Sequence, residues 1–113
     1  MLVFKIFRAP EWEAFQSTGR SEGAPVDLTD GYIHLSTAGQ VRETAAKHFA
    51  GEDGLVLLAL EAAQLGPELR WEKSRSGQDF PHLYRPLDAT DILWCKPLPL
   101  TGGQHVFPPD LKD

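Results

Sequence analysis

The run Leu-Val-Leu-Leu-Ala-Leu at residues 55–60 constrains the fold of this chain more than any other stretch. It follows Asp53-Gly54, a turn dipeptide, and contains no polar side chain. Six residues are short for a buried helix. An uninterrupted apolar run of that length reads as a strand buried on both faces. Other strands show alternation instead. Residues 2–8 (LVFKIFR) place Leu2, Phe4 and Ile6 on one face and Val3, Lys5 and Phe7 on the other. Residues 69–74 (LRWEKS) separate Leu69, Trp71 and Lys73 from Arg70, Glu72 and Ser74. Residues 82–85 are extended between Pro81 and Pro86, and residues 91–96 form a last strand.

Two helices are expected in the N-terminal half. Pro10 opens the first, with Glu11 and Glu13 near its positive end, and Gly19 closes it. Trp12 and Phe15 on this helix bury together. The second runs over residues 38–50, with Val41, Ala45, Ala46 and Phe49 as its apolar stripe and Gly51 as its stop. Residues 20–30 read as a polar loop long enough to close over a cleft. Residues 62–65 form one helical turn, and residues 97–113 an irregular tail with four prolines and two glycines. At 113 residues the chain is one domain, and this order of elements defines an α+β fold.

The segment DGYIHLST, residues 30–37, carries the first candidate site. Ile33 and Leu35 share the face that suits a core, leaving Tyr32, His34 and Ser36 on the other. Thr37 and Gln40 have capping-box spacing, so a helix follows at once. Two further groups are chemically able: Arg70, Trp71 and Glu72 on one strand, and His82 with Tyr84 on another. If these strands adjoin, the residues converge. His34, His82 and Glu72 have the donor types of a catalytic zinc site, but no HxH or HExxH spacing joins them, and no metal is expected. Ser36 with a histidine lacks the third group and the elbow of a serine nucleophile. No dinucleotide fingerprint or P-loop is present.

Composition narrows the partners. A net charge of −5 argues against broad attraction to nucleic acid, although Arg70, Lys73, Arg75 and Arg85 lie close in sequence. Cys95 stands alone in an apolar stretch and reads as a buried, inert thiol. No apolar run reaches the ~20 residues of a membrane span, and no leader pattern starts the chain, so a cytoplasmic protein is expected.

Together DGYIHLST, LRWE and FPHLYRPL resemble a family of small bacterial proteins known as domain of unknown function 952, over nearly the whole chain. That family is similar in turn to the ADP-ribosyltransferase-like fold, a split, curved, mostly antiparallel β structure that clamps NAD. The resemblance implies that Tyr32 or His34 lines a nicotinamide pocket. It implies that Glu72 stabilises the oxocarbenium-like transition state, with His82 a second orienter or an acid or base. It gives Ser36, Thr37, Arg70 and Tyr84 ligand-binding positions. Lys5 stands where those transferases place an Arg or His, with different hydrogen bonding. The expected ligand is a small molecule such as NAD or a related nucleotide. The alternative is a non-catalytic module that holds a small ligand or a peptide.

Overall fold

The computed structural model describes residues 1–74 and 76–111. The apolar run becomes β5 (below), the axis of the molecule. Eleven strands occur among the described residues, in chain order: β1 (Leu2–Phe7), β2 (Arg20–Ser21), β3 (Ile33–His34), β4 (Ser36–Thr37), β5 (Leu55–Glu61), β6 (Leu69–Lys73), β7 (Asp79–Leu83), β8 (Leu87–Asp88), β9 (Ile92–Leu98), β10 (Leu100–Thr101) and β11 (Gln104–His105). Three α-helices, α1 (Ala9–Thr18), α2 (Pro25–Asp30) and α3 (Ala38–His48), all fall in the first half.

The strands divide between a four-stranded sheet of order β4-β1-β5-β9 and a three-stranded sheet of order β3-β7-β6. Two small pairs, β2-β8 and β10-β11, complete the set, and every pairing is antiparallel. The mixed, antiparallel α+β character is as expected. β5 lies inside the larger sheet, and its two faces feed two separate cores. Leu58 and Leu60 join Val3, Phe7, Phe15, Ile33, Leu83 and Leu87. Leu55, Leu57 and Ala59 join Phe4, Ile6, Val41, Ala45 and Leu98 beneath α3. The result is three layers: α3, the larger sheet, then the smaller sheet together with α1. Burying β5 on both sides explains why its sequence shows no alternation.

Five expectations need correction. The polar loop at 20–30 contains β2 and the short helix α2. Pro25 begins that helix, Asp27 accepts the Ala24 N–H at its start, and Gly31 ends it with φ of 85°. The strand expected through 32–36 is broken at Leu35, so β3 and β4 belong to different sheets. Cys95 is exposed. It lies opposite Leu58 on β9, an edge strand of the larger sheet. In α3, Ala46 is exposed and the helix ends at His48. The tail is more ordered than its prolines suggest: a hairpin turns at Gly102-Gly103, and Phe107 and Leu111 pack on the α3 core. Of the basic cluster, Arg75 lies outside the described residues.

Candidate functional site

The smaller sheet supplies a chemically dense face. Ile33 pairs with Leu83, and both turn into the core. The next pair, His34 opposite His82, turns to the other face, and Arg70 on β6 stands opposite His82. Alternation places Glu72 on the same face as Arg70. Strand register therefore aligns Arg70, His82 and His34 across three strands. Tyr32 and Tyr84 flank them. The Tyr32 ring stacks on His82 at 4.1 Å between centroids and lies 4.6 Å from His34 and 5.2 Å from Tyr84.

Each histidine is held by a carboxylate, in contrasting surroundings. His82, only 7% exposed, donates Nδ1–H to Glu72 Oε1 at 2.8 Å, and the Tyr84 hydroxyl donates to the same oxygen at 2.6 Å. These two bonds, first Tyr84 and then His82, hold the Glu72 carboxyl below its ordinary range. The shared bond pushes the Tyr84 phenol up. Glu72 Oε2 has no partner among the described residues. Arg70 covers the Tyr84 ring at 4.9 Å and has no carboxylate within 4.0 Å among the described residues. Arg85, by contrast, is locked bidentate to Asp91 at 2.9 and 3.0 Å.

His34 donates Nδ1–H to Asp27 Oδ1 at 2.6 Å. Asp27 is the residue that sequence reasoning missed. Its side chain is fully buried and takes four donors. Oδ1 accepts the His34 backbone N–H and ring N–H; Oδ2 accepts Lys5 Nζ at 2.7 Å and the Ala24 N–H at 2.7 Å. Burial pushes its carboxyl up, but the His34 bond and the Lys5 charge outweigh burial and bring it down to about 2. Burial likewise lowers the Lys5 ammonium against the pull of Asp27. Gly23 permits the arrangement: its φ is 106°, and a Cβ there would lie 2.5 Å from Asp27 Cβ and Oδ2. Pro25, Asp27 and Gly31 spaced as a short capped helix were the available signal. Lys5 is thus spent on Asp27 and on the His34 carbonyl at 3.1 Å.

A hollow of about 280 Å³ opens beside this face, lined by Leu28, Tyr32, Tyr84, Arg85, Pro86 and neighbouring residues. Tyr32 and Tyr84 belong to both hollow and face. His34, His82 and Glu72 do not line the hollow but adjoin it through the two tyrosines. Ser36 and Thr37 lie elsewhere. The Ser36 hydroxyl bonds Thr44 of α3 at 3.0 Å, and Thr37 caps that helix, its N–H donating to Gln40 Oε1. Trp71 alternates to the other face of β6. Among the described residues no group of three or more His, Cys, Asp or Glu side chains is arranged to hold a metal ion. No described helix is long and apolar enough to cross a membrane.

The fold and this face define a small antiparallel α+β domain that displays two carboxylate-bound histidines between tyrosines. The model of the family described as "Protein of unknown function (DUF952)" matches residues 6–95, and the chain belongs to that family. It is similar to protein CC0527 from Caulobacter crescentus. Against the X-ray structure of that protein the identity is 50% over 94% of each chain, with a TM-score of 0.90. Against its solution NMR structure the identity is 50% over 92% of this chain and 90% of the other, with a TM-score of 0.83. No curated protein matches the chain.

Proposed function

We propose that this face and its adjoining hollow bind NAD or a related nucleotide in an ADP-ribosyltransferase-like manner and cleave or transfer ADP-ribose. The observation that carries the reading is Glu72. One of its oxygens is fixed by His82 and Tyr84, and the other has no partner among the described residues and lies beside the Tyr32, His82 and Tyr84 rings. A fixed, partly exposed carboxylate is what an oxocarbenium-like transition state needs. The hollow has room for a nicotinamide ring; the ribose and the rest of a dinucleotide would run along the open face beside Glu72.

In this reading the nicotinamide–ribose bond breaks and nicotinamide leaves with the bonding electrons. Glu72 Oε2 faces the positive charge that develops on the ribose. Donating Nδ1–H to Glu72 leaves Nε2 of a neutral His82 with its lone pair, able to take the proton of an acceptor hydroxyl or water. The tyrosines supply flat surfaces for the ring, His34 orients the ligand, and Arg70 supplies a cation with no carboxylate within 4.0 Å among the described residues.

The test is NAD titration with a nicotinamide assay on wild type and Glu72→Gln. Binding with release in wild type, and binding without release in the variant, is the expected result. Saturable binding without release by wild type would assign a non-catalytic module instead. Failure of NAD, ADP-ribose and nicotinamide alike to bind would sink the nucleotide reading.

A further inference from the structure

The His34 ring meets a carboxylate at each nitrogen, both from one short helix. Asp27 takes Nδ1, and Asp30, the last residue of α2, stands 2.9 Å from Nε2. The two contacts are physically unlike. Asp27 is fully buried under four donors and cannot leave without stranding Lys5 and two backbone N–H groups. Asp30 is 40% exposed, and the His34 ring is its only ion-pair partner among the described residues. It precedes Gly31, whose φ of 85° ends the helix and around which a Cβ would meet nothing within 4 Å.

Carboxylates only accept, so a ring with Asp27 at Nδ1 and Asp30 at Nε2 faces both as a donor in its doubly protonated form, and with Nδ1–H committed to Asp27, Nε2–H is the donor that His34 can offer. The atom beside Nε2 in the free protein is an acidic oxygen. Exposed ion pairs of this kind contribute little and exchange readily with solvent or ligand. His34 also ends the cross-strand row that contains His82 and Arg70, so the other donors of the face lie on one side of it.

We propose that His34 Nε2 is a docking point for a ligand oxyanion, a phosphate oxygen, and that Asp30 is its internal stand-in, displaced when the ligand arrives. The choice of phosphate rests on the nucleotide reading above; the position of the oxyanion does not. Asp27 is then a positioning residue that acts through His34, whereas Asp30 holds the docking point closed.

Inorganic phosphate at constant ionic strength is the probe, followed by long-range proton–nitrogen NMR of the histidine rings in wild type, Asp30→Ala and Asp30→Asn. Phosphate should shift the Nε2 resonance of His34 while leaving Nδ1 nearly still. Asp30→Ala should tighten phosphate binding by about three- to tenfold, with Asp30→Asn between it and wild type, because a competing acceptor and a repelling charge are removed. Both substitutions lie at an exposed helix end, and an unchanged thermal melt verifies the fold. Equal or weaker phosphate binding in Asp30→Ala, or shifts that bypass His34, overturns the proposal. Phosphate seated at His34 in a protein that does not bind NAD would overturn the nucleotide reading and leave this one intact. NAD binding indifferent to Asp30→Ala would do the reverse.

Discussion

The Asp27–His34 and Glu72–His82 pairs occupy neighbouring positions on the same small sheet, yet they are built for opposite purposes. Both bonds join a carboxylate to Nδ1, at 2.6 and 2.8 Å. In the first the carboxylate is buried and the ring is the more open partner; in the second the ring is buried and the carboxylate is open. Asp27 has spent both oxygens on protein donors, whereas Glu72 retains one. The same pairing of carboxylate and imidazole therefore makes a buried anchor of Asp27 and leaves Glu72 open to solvent. Solvent access, not chemical identity, separates them.

The contrast can be broken hardest at Asp27. Asp27→Ala leaves Lys5 as a buried, unpaired charge and should cost about 3–5 kcal/mol, measured by urea unfolding. That is a large share of the roughly 5–15 kcal/mol typical of a domain. A loss below about 1 kcal/mol would contradict the anchor role. Acid unfolding tests the same residue without mutation. The folded carboxyl lies near about 2, against an ordinary 3.8. Its contribution of about 2 kcal/mol is therefore complete above pH ~4 and fades as pH falls through 2. The acid limb should flatten by that amount in an Asp27 variant.

Gly23→Ala is the next smaller disturbance. The added methyl meets Asp27 at 2.5 Å on a backbone with φ of 106°. About 1–3 kcal/mol should be lost, and the His34 ring resonances should move with the displaced carboxylate. Smallest in stability but sharpest for the comparison is Glu72→Gln. Its thermal melt should stay close to wild type, while ultraviolet titration should show the Tyr84 phenol falling back toward the ordinary tyrosine range, since Glu72 is the main cause of its raised value. A Tyr84 titration that does not move would remove the fixed-carboxylate basis of the proposed chemistry.

Periodicity made much of this molecule readable. The unalternating run at 55–60 announced a strand covered on both sides, and LRWEKS placed Arg70 and Glu72 on one face because alternation is a property of any strand. Pro10 and Gly19 marked the first helix for equally local reasons. The candidate site was legible only in part. His34, His82, Glu72 and Tyr84 were chemically conspicuous, but Ser36 looked equivalent to His34 until Leu35 proved to be the point where the chain changes sheets. Asp27 was hidden in a stretch read as loop. A carboxylate two residues after a proline, in a polar segment, does not reveal that a lysine 22 residues earlier will meet it.

The sequence by itself determined which segments become strands and helices, where the apolar faces lie, and which side chains are capable of chemistry, because these depend on neighbours within a few residues. Only the tertiary structure decided which capable residues meet. Pairing β3 with β7 and β7 with β6 aligned His34, His82 and Arg70, while the packing of α2 on β1 joined Asp27 to Lys5. Burial then separated the two carboxylates, since the strength of a charge interaction depends on the surrounding dielectric, and that surrounding exists only once the layers have closed.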